Sequence, residues 1–114
     1  MKQNVLKEKS YAFAILIVKQ AENLISERKE YVLSKQLLRS GTSIGALIRE
    51  AEFAQSKADF INKMSIALKE ANETLYWLSL LKDTNYINYD LYIILHKECE
   101  GLVALLVATI KTSK

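Results

Sequence analysis

Ser56-Lys57-Ala58-Asp59-Phe60-Ile61-Asn62-Lys63-Met64-Ser65-Ile66-Ala67-Leu68-Lys69-Glu70-Ala71-Asn72-Glu73-Thr74-Leu75-Tyr76-Trp77-Leu78-Ser79-Leu80-Leu81 reads as the start and body of one long helix. Ser56 and Asp59 stand in a capping-box arrangement with Asp in the place of Glu, so a side-chain oxygen is available to the first free amides of the helix. Behind them Phe60, Met64, Ala67, Ala71, Leu75, Leu78 and Leu81 recur at the three- and four-residue spacing of one helical face. The stretch predicts a helix from about residue 57 to 84, ending where Asp83-Thr84-Asn85 interrupts the pattern.

Working outward, Asn88 is placed to cap a further helix over about 88–111. Upstream, Leu6, Phe13, Ile17, Ala21 and Leu24 form the stripe of a first helix over about 4–27. The connection 28–33 has no glycine, and Ser34 is the expected N-cap of a second helix over about 34–54. Inside that helix Arg39-Ser40-Gly41-Thr42-Ser43-Ile44-Gly45-Ala46 lowers helix propensity by roughly 1 kcal/mol per glycine. Gly41 and Gly45 share a face that admits a close neighbouring backbone; a kink or a break is the alternative. The expected fold class is all-α: four helices of ~37 Å joined by short turns, an antiparallel up-down-up-down four-helix bundle forming one domain over 1–114.

Composition agrees with this reading. In 114 residues there is no proline and there are three glycines, too few for the turns of sandwiches or βαβ folds. Half of the residues are apolar and a quarter charged, a globular balance that excludes disorder and collagen. The lone Cys99 cannot form an intramolecular disulfide and is expected to be a small buried hydrophobe. The N-terminal run Tyr11 to Val18 lacks the flanks of a signal peptide, and Leu102 to Ala108 is far short of a membrane span of ~20 residues. These features predict a soluble cytoplasmic protein with no membrane partner.

Two further features concern partners. Tyr11 to Val18 and Leu102 to Ala108 are apolar around most of the helix, more than one core-facing stripe requires. A homo-oligomer through the first and fourth helices is therefore expected, with Phe13, Ile15, Leu16, Val18, Leu102, Leu105 and Leu106 at its interface. The net charge of +3 sits in residues 1–29, where six Lys/Arg face three Glu. Lys2, Lys7, Lys9, Lys19, Arg28 and Lys29 are the candidate phosphate contacts of a polyanion-binding stripe, against the plainer reading of a solvated helix face.

The segment Leu33 to Ala51, with Ser56, Asp59-Phe60 and Ile66 to Leu78, resembles the four helix bundle proteins, also called ribosomal RNA intervening-sequence proteins. The resemblance implies an antiparallel bundle assembling as a ring-like homopentamer, and brings no settled activity with it. The related accessory proteins of diversity-generating retroelements form a similar pentameric barrel whose basic surface engages nucleic acid and a reverse transcriptase, an analogy of fold. This chain departs from the family pattern at Leu47, usually Asn, and at Gly45, often Pro.

Catalytic patterns are absent or incomplete. A ferritin-like di-metal site needs Glu-x-x-His motifs, but the single His96 follows Ile93 at that spacing, and Glu70-x-x-Glu73 supplies no imidazole. The small-residue segment at Arg39 lacks a Gly-Lys-Ser/Thr ending and a preceding strand, so it is no phosphate loop. Ser43 or Cys99 as nucleophile would depend on the same lone histidine. Asn72-Glu73-Thr74 matches a glycosylation sequon but falls mid-helix. Arg39, Ser43, Glu50, Glu70 and Glu73 form the polar set of the resembling segment, expected to fix helix register, with an anion-facing role for Arg39 and Arg49 as the alternative. Tyr76-Trp77 is expected to pack rather than to serve as a base-stacking platform. The reading overall is a non-catalytic, cofactor-free, homo-oligomeric scaffold associated with RNA or another nucleic acid; the alternative is an adaptor for a protein partner.

Overall fold

The computed structural model of the chain describes the backbone of residues 2–114 and the side chains from residue 5 onward. Four helices follow one another: α1 (Lys2–Arg28), α2 (Leu33–Glu52), α3 (Lys57–Asp83) and α4 (Tyr89–Ser113). Each packs on its sequence neighbours and α1 closes on α4, while among the described residues the diagonal pairs lie farther apart. The result is a four-helix bundle of 44 × 21 × 19 Å. Its contact between α1 and α4 is the sparsest of the four.

Local chemistry sets the ends of these helices. Ser56 Oγ accepts from the Asp59 amide at 3.0 Å, and Asp59 Oδ2 accepts from the Gln55 amide at 3.2 Å, closing a reciprocal cap at the start of α3. The Gln55 amide and the Lys63 ammonium hold the Asp59 carboxyl below the usual carboxylate range. Asn88 Oδ1 accepts from the Leu91 amide at 2.8 Å and caps α4.

Ser34 does not cap α2. Glu30 reaches forward instead, its Oε1 accepting from the Ser34 amide at 2.8 Å and its Oε2 from the Val32 amide at 3.3 Å. A carboxylate suits this place, because it neutralises free amides at the positive end of the helix dipole. Ser34 lies inside the helix, buried, with its hydroxyl unpartnered.

Two connections use left-handed residues where glycine would be usual. Lys29 has φ 55°, and its amide donates to the Ile25 carbonyl at 3.2 Å, the αL closure of α1. Asn85, φ 68°, closes α3 in a Schellman motif, with the Tyr86 amide donating to the Leu81 carbonyl at 2.8 Å and the Asn85 amide to the Lys82 carbonyl at 3.0 Å. Arg28 ties the two together: Nη1 donates to the carbonyls of Asn85 (2.9 Å) and Tyr86 (3.1 Å), and its guanidinium lies 4.8 Å from the centre of the Tyr86 ring.

The glycines of α2 lie in a continuous helix and mark its approach to α1. A Cβ on Gly41 would stand 2.8 Å from Ile17 Cγ2, and one on Gly45 would stand 3.5 Å from the Ser10 carbonyl oxygen. The helix-propensity cost of the two glycines is thus offset by closer packing of α1 on α2. Leu47, at the family's Asn position, packs partly buried against the core.

Candidate functional site

The polar set of the resembling segment divides. Arg39 on α2 reaches α3, with Nη1 donating to Glu70 Oε1 at 3.1 Å and Nη2 to Glu73 Oε1. The hydrogen bond to Glu73 is the chief cause raising the Arg39 pKa further above its ordinary value. Just inside this pair the Thr74 hydroxyl meets Ser40 Oγ at 3.0 Å, a buried polar contact between the same helices. Ser43 and Glu50 do not join the cluster. Ser43 Oγ donates to the Arg39 carbonyl of its own helix at 2.6 Å, and Glu50 is exposed near the end of α2. Arg39 has its charge matched by two carboxylates, and its side chain stays half exposed.

The expected basic stripe is dispersed. Lys7 and Lys9 lie roughly 160° apart around the helix at 3.6 residues per turn. Accordingly Lys7 turns toward α2, where Nζ pairs with Glu52 at 3.0 Å, while Lys9 lines a groove against α4 with Lys97, Gly101 and Leu105. Lys19 is exposed, and neither Lys9 nor Lys19 is ion-paired among the described residues. Arg28 is engaged by the carbonyls after α3, and Lys29 Nζ donates to the Ser26 carbonyl. The side chain of Lys2 lies outside the described residues.

The expected interface set also needs correction. Phe13, Leu102 and Leu106 are at most 1% exposed and belong to the core of the chain itself. The apolar runs containing them wrap the helix, so part of each run must face inward. Ile15, Leu16 and Val18 do face outward, at 42%, 38% and 39% exposure, and Leu105 is half-buried. Val5 and Leu16 flank the α4 side of α1, whereas Tyr11, Val18 and Ile25 flank the α2 side, so α1 carries exposed apolar surface on both sides of its core stripe.

Trp77 packs against the core and touches the exposed Tyr76 edge-on, their ring centres 5.0 Å apart. His96 Nδ1 lies 3.2 Å from Glu100, on its own helix, and stacks near Tyr92. Cys99 Sγ donates to the Ala71 carbonyl at 3.3 Å, buried between α3 and α4. Among the described residues no three His, Cys, Asp or Glu side chains converge as a metal-binding group. None of the described helices is long and apolar enough to cross a membrane.

Burial pushes the Cys99 thiol up to about 12. The thiol is therefore expected to resist disulfide reagents at pH 8 until the bundle opens, with the labelling rate tracking unfolding in urea. Because the folded state holds this proton more tightly than the unfolded state, its contribution to stability is complete below the unfolded thiol pKa near 9 and is lost as pH rises toward 12. Rapid labelling of the folded protein would place the thiol at the surface instead.

Comparison with known proteins fits this architecture. Residues 2–108 match the family described as 23S rRNA-intervening sequence protein. The chain belongs to that family. A crystal structure of a protein of unknown function from the S23 ribosomal protein family of Bacteroides thetaiotaomicron is 58% identical over 97% of this chain and 99% of the other, with a TM-score of 0.96. No curated protein matches. The family assignment rests on nearly the whole bundle and not on the glycine-containing segment alone.

Sequence reasoning missed two features of this chain that bear on partners. The Arg49 guanidinium lies 5.7 Å from the centre of the Tyr11 ring, beside a cleft of about 350 Å³ between α1 and α2. Phe53, in the turn after α2, is 82% exposed. The composition of that turn gives no sign that an aromatic ring there stays in water.

Proposed function

We propose that this protein is a non-catalytic, cytoplasmic scaffold that assembles with copies of itself, five in the ring that the family resemblance implies, and associates with RNA. The observation that carries the reading is the division of α1: one stripe is closed into the core while Ile15, Leu16, Val18 and their neighbours stay outward and apolar. An isolated bundle would leave that surface in water, whereas copies packed side by side would cover it. Helices alternating up and down suit such packing. In keeping with this, Lys7 near the start of α1 meets Glu52 at the end of α2, and Lys57 at the start of α3 meets the Lys114 carbonyl at the end of α4.

Association with RNA draws support from the family's description and from the excess of positive charge. A ring multiplies a weak patch: several copies on one strand raise affinity without any new kind of contact. Binding of a labelled single-stranded RNA, followed by fluorescence anisotropy between about 50 and 200 mM salt, is expected to weaken steeply, as counterion release requires. Binding that ignores salt, or none at low salt, would contradict the reading. A protein retained with the same partner after nuclease treatment would favour an adaptor instead.

A further inference from the structure

We infer that single-stranded RNA is held at one end of the bundle, where Phe53 stacks on a base and Arg49 and Lys57 hold the flanking phosphates; this rests on the nucleic-acid reading above. Contacts already described gather this end from all four helices: Lys7 with Glu52, Arg49 over Tyr11, and Lys57 with the Lys114 carbonyl.

Charge collects here. Lys7, Lys9, Arg49, Lys57, Lys111 and Lys114 are opposed by Glu8, Glu50 and Glu52, while Lys63 and Asp59 pair with each other. The excess of three is as large as the formal net charge of the whole chain, +3. Counting along the sequence assigned that excess to the first helix, whereas the fold places it at an end, because Lys57, Lys111 and Lys114 arrive from α3 and α4.

Phe53 stands between two of these cations, four residues after Arg49 and four before Lys57. At 82% exposure it contributes little to the core, and its ring is open to a partner. A phenyl face among unpaired cations is the arrangement that binds single strands, since every base has a face to stack and every nucleotide a phosphate. Arg49 has no carboxylate partner among the described residues, and the Lys57 ammonium donates to the main-chain oxygen of Lys114 and to no Asp or Glu side chain. The opposite end supplies a contrast. Tyr31 and Tyr89 are exposed there as well, but Arg28, Lys29, Lys35 and Lys82 are balanced by Glu27, Glu30, Asp83 and Asp90. Of the two ends, and among the described residues, it is the Phe53 end that combines aromatic exposure with positive charge.

The test is anisotropy of a short fluorescein-labelled oligouridylate with the full chain at low salt. Phe53→Ala is expected to weaken binding roughly tenfold, with Phe53→Trp restoring it. Arg49→Gln combined with Lys57→Gln is expected to flatten the log–log salt dependence by about 1.4, the share of two single-strand phosphates. Tyr31→Ala, at the balanced end, should change neither. Wild-type binding that survives Phe53→Ala and the paired Gln substitutions unchanged would overturn this site and leave the RNA reading standing. No binding by the wild type would overturn both.

Discussion

Phe13→Ala is expected to destabilise the bundle by about 3–5 kcal/mol, the range for removing a buried phenyl ring and leaving a cavity. Phe13 is 1% exposed and lies in the core cluster with Leu6, Ile17 and Leu106. Since marginal stability for a domain is about 5–15 kcal/mol, that loss is enough to bring the protein near unfolding at growth temperature. Ile15→Ala, two residues away on an outward face, removes a side chain that is 42% exposed and should cost the isolated fold far less. Urea denaturation followed by circular dichroism at several protein concentrations separates the two, because a lesion in the subunit core persists at all concentrations and a lesion in an interface does not. A Phe13→Ala loss below about 1 kcal/mol at every protein concentration would mean that Phe13 is not a core residue.

Gly41→Leu should cost on the order of 3 kcal/mol, the upper part of the range for overpacking. The first atom of the new side chain already meets Ile17 at 2.8 Å, and Ile17 is itself completely buried and branched at Cβ, so it has little freedom to turn away. Gly101→Ala provides the opposite sign. A Cβ there meets nothing within 4 Å, and the residue is inside α4. Alanine should therefore gain about 1 kcal/mol of helix propensity, raising Tm by about 4 °C. Thermal melts of the two variants test the account of the α1–α2 approach; a stable Gly41→Leu protein would show that α1 can move away from α2 without loss.

These glycines illustrate what was legible in the sequence. Their four-residue spacing indicated one shared face, but whether that face met a helix or bent one depended on what lay opposite, which only the position of α1 decides. Helix number and the caps at Ser56 and Asn88 could be read because the capping partners lie within three residues. The start of α2 was legible to within a residue but its cap was not, because it comes from Glu30, outside the usual Ser/Thr pattern, with a side chain long enough to reach two amides. Arg39 with Glu70 and Glu73 was legible as an inter-helix pair, whereas Ser43 satisfied its hydroxyl within its own turn, an option always open to serine in a helix.

The candidate surfaces were the least legible part. The helical period alone separates Lys7 from Lys9, so a basic stripe along α1 conflicts with the same spacing that identified the helix. Phe13, likewise, sits on the core stripe of Leu6, Ile17 and Leu24 as well as in the apolar run from Tyr11 to Val18, and the stripe determines its place. Arg49, Phe53 and Lys57 are close in sequence, but the charge gathered around them is not legible along the chain, because Lys7 and Lys114 are brought there by helix packing.

The central claim is that the outward apolar faces, α1 foremost, are covered by copies of this chain. Size-exclusion chromatography with light scattering on the purified protein at low salt tests it most directly. The account predicts a mass several times that of the 13.0 kDa chain, roughly 65 kDa for a ring of five, and a fall toward the monomer for Ile15→Glu combined with Val18→Glu. A wild-type protein that elutes as a 13.0 kDa monomer across concentrations would contradict it.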